Sequence, residues 1–109
     1  MPPTNWQSLR VSSNTRWAIY DEAFPAQLDA AFAEHPEALQ AFDQDAAVDV
    51  LLAIAGAWPT LGRDTQDPSV RYYIRTYPAQ RPAVTATFIA IELSKQQIVV
   101  AAIETTPLR

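Results

Sequence analysis

Cysteine is absent from this chain of 109 residues, which excludes disulfides and thiolate metal ligands outright. Glycine occurs only twice, at Gly56 and Gly62, so neither a glycine-rich phosphate loop nor a nucleophile elbow can be built. The single histidine, His35, stands between two helical stretches with no partner of the kind a proton relay or metal site needs. No apolar run approaches the roughly 20 residues that cross a bilayer. The start, MPPTNWQSLR, has no basic segment followed by an apolar one, so no signal peptide is expected. These absences lead to the expectation of a soluble, cytoplasmic protein without cofactor, metal or membrane contact.

What is present describes a folded domain. Hydrophobic residues make up 49% of the chain and charged ones 18%, which suits a packed core rather than a disordered segment. The length fits one domain, read as an N-terminal arm over 1–15 and a single α+β domain over 16–109. The net charge of −4 is unevenly spread. Residues 1–62 carry two basic and eight acidic side chains, whereas residues 63–109 carry six basic and four acidic. A protein that holds a polyanion by charge alone is normally basic overall, so any nucleic-acid contact here is expected to be local.

Residues 9–20 read as a strand pair around Ser13-Asn14 or as one strand centred on Trp17–Tyr20. Asp21 is a candidate helix N-cap, Pro25 falls in the first turn, and Phe24, Leu28 and Phe32 form a helical stripe. His35-Pro36 interrupts that helix. The apolar pattern resumes from Leu39 and Phe42 to Val50, Leu51 and Ile54, and Gly56 or Trp58-Pro59 ends it. The two helices are expected as an antiparallel hairpin with acidic outer faces. Asp45 and Asp49 share one helix face, a spacing open to a cation site but matched by an ordinary solvated face. Trp6 and Trp58 are either partner anchors or, for Trp58, a closure of the core.

A polar loop over 59–69 leads to three strands, at 70–77, 83–93 and 97–106, joined by Pro78–Pro82 and by Ser94-Lys95-Gln96. The fold class expected is therefore α+β, an N-terminal helical hairpin packed on a C-terminal antiparallel β-meander. Trp17, Phe24, Phe32, Phe42, Leu51, Ile54, Ile74, Phe88 and Ile103 are the expected core. Along 70–77, strand alternation separates Val70, Tyr72 and Ile74 from Arg71, Tyr73, Arg75 and Tyr77. Guanidinium groups and aromatic rings suit phosphate, stacked bases or an acidic peptide. The target-binding candidates are thus Arg71, Tyr73, Arg75 and Tyr77, extended by Arg63 and Arg81. An exposed sheet face pairing these residues with Glu92, Thr85 and Thr87 is the structural alternative.

This element order resembles the RelE/ParE toxin superfamily over roughly residues 16–104. Trp17–Tyr20 looks like the first strand of that family, Trp58–Gly62 like its exit from the second helix, and Val70–Arg75 like its arginine strand. Arg81 followed by Val84–Leu93, and then Ile98–Ile103, are similar to its last two strands. The resemblance implies a cytosolic toxin that binds a macromolecular target in translation or gyrase function and is neutralised by an antitoxin-like protein partner. Two departures stand beside it. No tyrosine or histidine follows the last strand, and the helices are acidic where such nucleases are basic. Those departures favour the gyrase-directed branch or a non-catalytic protein-interaction module of the same fold, and a homodimer is also admitted.

Overall fold

The computed structural model describes residues 5–77, 83–94 and 96–107. A single 3-10 turn at Trp6–Ser8 precedes two strands, β1 (Arg10–Ser13) and β2 (Arg16–Tyr20). They form a strand pair around Ser13-Asn14, the first of the two readings of residues 9–20, so the segment read as an arm contributes an edge strand. Asn14 and Thr15 turn the corner with φ of 51° and 66°, the left-handed values a tight hairpin turn requires. The Asn14 amide donates to the Gly56 carbonyl at 2.9 Å, tying the turn to the helix beneath it. That helix passes close enough that a β-carbon at Gly56 would sit 3.3 Å from Ser13 Oγ.

Three helices follow rather than two: α1 (Phe24–Ala31), α2 (Pro36–Ala41) and α3 (Gln44–Ala57). The N-cap of α1 is Ala23 and not Asp21, whose carboxylate accepts from the Ala23 N–H at 2.9 Å in the turn before the helix. Pro36 opens α2, as the His35-Pro36 step predicts. The expected second helix divides at Asp43, whose Oδ1 accepts from the Ala46 N–H at 2.9 Å and caps α3. Asp43 is therefore the capping residue of α3.

Beyond α3, a 3-10 turn at Trp58–Thr60 leads to β3 (Gly62–Arg63), β4 (Val70–Tyr77), β5 (Val84–Ser94) and β6 (Gln97–Pro107). The last three strands form the expected antiparallel meander. The sheet as a whole is mixed, however, with six strands in the order β1-β2-β6-β5-β4-β3. Strands precede the helices, and β2 lies parallel to β6, which makes the C-terminal meander continuous with the N-terminal hairpin. A parallel neighbour needs a long crossover, and residues 21–96 supply it.

The helices pack on one face of this α+β sheet. The Gln27 side chain donates to the Ala101 carbonyl at 2.9 Å, and Thr105 Oγ1 donates to the Ala31 carbonyl at 2.8 Å, fixing α1 on β6. Phe24, Phe32, Phe42, Leu51, Ile54, Phe88 and Ile103 are buried as expected, and burial of such side chains stabilises by roughly 1.5–3 kcal/mol each. Trp17 and Ile74 are corrections, being 42% and 62% exposed. Their strands alternate as predicted, but the face bearing them is the one away from the helices.

Trp6 is not a free anchor. It packs edge-on against Tyr20 at 4.8 Å and stacks on Phe42 at 5.9 Å, the outer member of an aromatic cluster built on Phe24 and Phe88. Trp58, 1% exposed, closes the end of the core under α3.

Candidate functional site

The arginine–tyrosine strand faces inward. In β4, Arg71, Tyr73, Arg75 and Tyr77 stand opposite Ala90, Phe88, Ala86 and Val84, all on the helix-covered face. Tyr73 packs on Phe88 at 6.0 Å, and Tyr77 meets Phe32 edge-on at 5.6 Å. Burial raises the Tyr77 phenol above its ordinary range, with Arg75 acting in the opposite sense. The pairing of this face with Thr85 and Thr87 does not occur, since they lie across from Thr76 and Ile74 on the other side of the sheet, whereas Glu92 shares the face of Arg71 and forms its ion pair with Arg16.

Arg71 is the most constrained of the candidates, at 8% exposure. Its Nη1 donates to the Trp58 carbonyl at 2.5 Å, and its guanidinium lies 5.2 Å from the centre of the Trp58 ring. Trp58 is the residue at which α3 ends, so the cation meets the negative end of the helix dipole and a carbonyl that otherwise accepts only a long bond, 3.3 Å, from the Leu61 N–H. Burial lowers the guanidinium pKa, Arg63 and Arg16 reinforce the effect, and Glu92 opposes it. Arg71 therefore serves the fold.

Arg63 is exposed in β3 directly across from Arg71. Arg75 is half-buried, and Arg81 lies outside the described residues. The structure thus brings Arg63 and Arg71 together and sets Arg75, Tyr73 and Tyr77 further along the same inner face. Nearby, Arg16 Nε lies 3.8 Å from Glu92 Oε2, an ion pair at the sheet end that sequence patterns did not single out.

The opposite face is where exposed apolar surface collects. Strand register places Arg10, Ile19, Val99, Ile91 and Val70 in one row across β1, β2, β6, β5 and β4. Asp64 completes the row, its N–H donating to the Val70 carbonyl at 2.9 Å. The next rows carry Ile89 beside Tyr72, and Thr87 beside Ile74. Trp17 sits below Ile19 under the Arg10 guanidinium, 4.1 Å from its ring centre. Leu93, 63% exposed, follows at the end of β5. At the far margin, Tyr72 Oη donates to Asp64 Oδ1 at 2.6 Å, which lowers the Asp64 pKa and raises that of Tyr72.

These residues were not among the sequence candidates, yet a signal for them exists. Strands with one wet face alternate apolar and polar, whereas strands covered on both faces read as continuous apolar runs. Phe88-Ile89-Ala90-Ile91 and Ile98-Val99-Val100-Ala101 are such runs.

His35 is half-buried before α2 and makes no capping hydrogen bond there. Asp45 and Asp49 are exposed on α3, and no group of three or more acidic or histidine side chains could hold a metal ion among the described residues. No described helix is long and apolar enough to cross a membrane. Compared with known proteins, the chain matches no family model, no curated protein and no solved structure.

Proposed function

We propose that the chain is a non-catalytic protein-interaction module that docks a protein on the open face of its sheet. The observation that carries this reading is the contiguous apolar surface of Trp17, Ile19, Tyr72, Ile74, Ile89 and Ile91, with Ile74 62% exposed. Exposed apolar patches of this extent mark interaction sites, because an isolated soluble domain gains nothing by leaving them wet. The inward turn of Arg71, Tyr73 and Tyr77 weighs against a basic nucleic-acid platform on β4. In-cell crosslinking tests the reading. Wild-type chain is expected to crosslink to a protein through its open face, and Ile74→Lys with Leu93→Lys is expected to abolish those crosslinks while the circular dichroism spectrum stays unchanged. Specific RNA cleavage that survives these changes and vanishes in Arg75→Ala would overturn it.

A second reading, a toxin of the RelE/ParE kind with a cytoplasmic antitoxin-like partner, rests on the order strand, helices and meander between Trp17 and Glu104. Exposed Arg63 and half-buried Arg75 are the cations left for a local nucleic-acid contact. Induced expression in bacteria, with translation and DNA synthesis followed by labelled precursors, decides it: a rapid stop in one supports the toxin, and normal growth removes it.

A further inference from the structure

Resting on the docking reading, we infer that the occupant of the open face is a second copy of this chain, packed sheet to sheet about a two-fold axis parallel to the strands. The row Arg10–Ile19–Val99–Ile91–Val70–Asp64 spans the sheet from margin to margin, with a cation at one end, an anion at the other and four apolar residues between. A two-fold axis between β5 and β6 sets β1 over β3, β2 over β4 and β6 over β5 of the other copy. Arg10 then faces Asp64, Ile19 faces Val70 and Val99 faces Ile91, and the same pairs recur on the other side of the axis. Such a row is complementary to itself.

Size agrees with this arrangement. Six strands about 4.8 Å apart that average about seven residues of about 3.3 Å each give a face of roughly 650 Å². Stable interfaces bury about 600–1,000 Å² on each partner. Two twisted sheets pack face to face about 10 Å apart with strands crossing at about 30°, close enough for Ile89, Ile91 and Val99 to interdigitate. Charge agrees as well. The acidic helices lie on the outer sides of the resulting helix–sheet–sheet–helix stack, and the facing rows meet through opposite charges at both margins. This symmetric, closed contact also accounts for a tryptophan left 42% exposed on that face, beside Arg10.

Light scattering across a concentration series tests the inference. The expected mass is that of two 12.1 kDa chains. Ile74→Lys and Leu93→Lys, both at positions exposed in the single chain, are expected to give monomers with unchanged circular dichroism. Arg10→Asp and Asp64→Arg are each expected to weaken the dimer about tenfold, and the two together to restore it, because the charge pair is reversed rather than lost. A monomer at every concentration overturns the inference, as does a dimer indifferent to Ile74→Lys and Leu93→Lys. If a monomer still loses in-cell crosslinks through these substitutions, the docking reading survives with a different partner. If it shows no such crosslinks, that reading falls too.

Discussion

Replacing Arg71 by alanine separates a structural arginine from a ligand-binding one. Three effects act together. The charge-assisted hydrogen bond to the Trp58 carbonyl disappears, worth about 1.5–3 kcal/mol. The cation over the Trp58 ring is lost, about 0.5–2 kcal/mol. Against these stands the relief of a desolvated charge that Arg63 and Arg16 also repel. The cavity left below β4 tips the balance, giving a net loss of about 3 kcal/mol. In a domain of this size that lowers the melting temperature by about 12 °C. Arg71→Met, which fills the space without the charge, is expected to recover about half of the loss. Thermal melts by circular dichroism, supported by urea titrations, measure both variants. An Arg71→Ala protein melting within about 2 °C of the parent would refute the assignment of Arg71 to the fold.

Tyr20 offers a cleaner hydrogen-bond test, since its buried hydroxyl donates to the Ala47 carbonyl at 2.7 Å. Tyr20→Phe is expected to cost about 1 kcal/mol in a urea titration, because one buried hydrogen bond is lost while the Ala47 carbonyl keeps its acceptor role inside α3. Thr15→Gly is expected to raise stability by about 1 kcal/mol, as a β-branched residue at φ 66° strains the hairpin turn. Burial raises the Tyr20 and Tyr77 phenols, and the Asp64 hydrogen bond raises Tyr72. Their contribution to stability is therefore complete below about pH 10, the ordinary tyrosine value, and is lost as pH rises through the folded-state values. Ultraviolet titration should accordingly show delayed ionisation of these three phenols until the chain unfolds in alkali. Asp64 works in the opposite direction: its lowered pKa stabilises above about pH 4 and ceases to do so in stronger acid. Asp64→Asn is expected to flatten the acid limb of the stability curve.

Element positions were largely legible because proline, capping and turn residues act locally. Pro36, the Phe24–Leu28–Phe32 stripe and the bounds of β4 follow from short-range chemistry that does not depend on the rest of the chain. The face each strand presents was not legible in β4, where both alternating sets contain large apolar groups. Arginine normally argues for the wet side, but here the end of α3 offers a buried carbonyl and an indole ring to receive Arg71. Ile74 is turned outward by the same register. Nor could the pattern reveal that β6 pairs with β2, since a run such as Ile98–Ala101 states that a strand is buried without naming its neighbour. The Asp43 cap was visible as a residue type but hidden within a continuous apolar period.

The parallel contact between β2 and β6 also orders events in time. Trp17 and Gln97 are about 80 positions apart, yet they are paired neighbours in the finished sheet. During synthesis β1, β2 and all three helices emerge before the strand that joins them to β4 and β5. Until β6 arrives, Ala18 and Tyr20 have no sheet neighbour on that side, and α1 lacks the Ala101 carbonyl and the Thr105 hydroxyl that hold it. Assembly is therefore a late, single closure with a large loop to gather, which places this domain among slower folders than its helical content suggests.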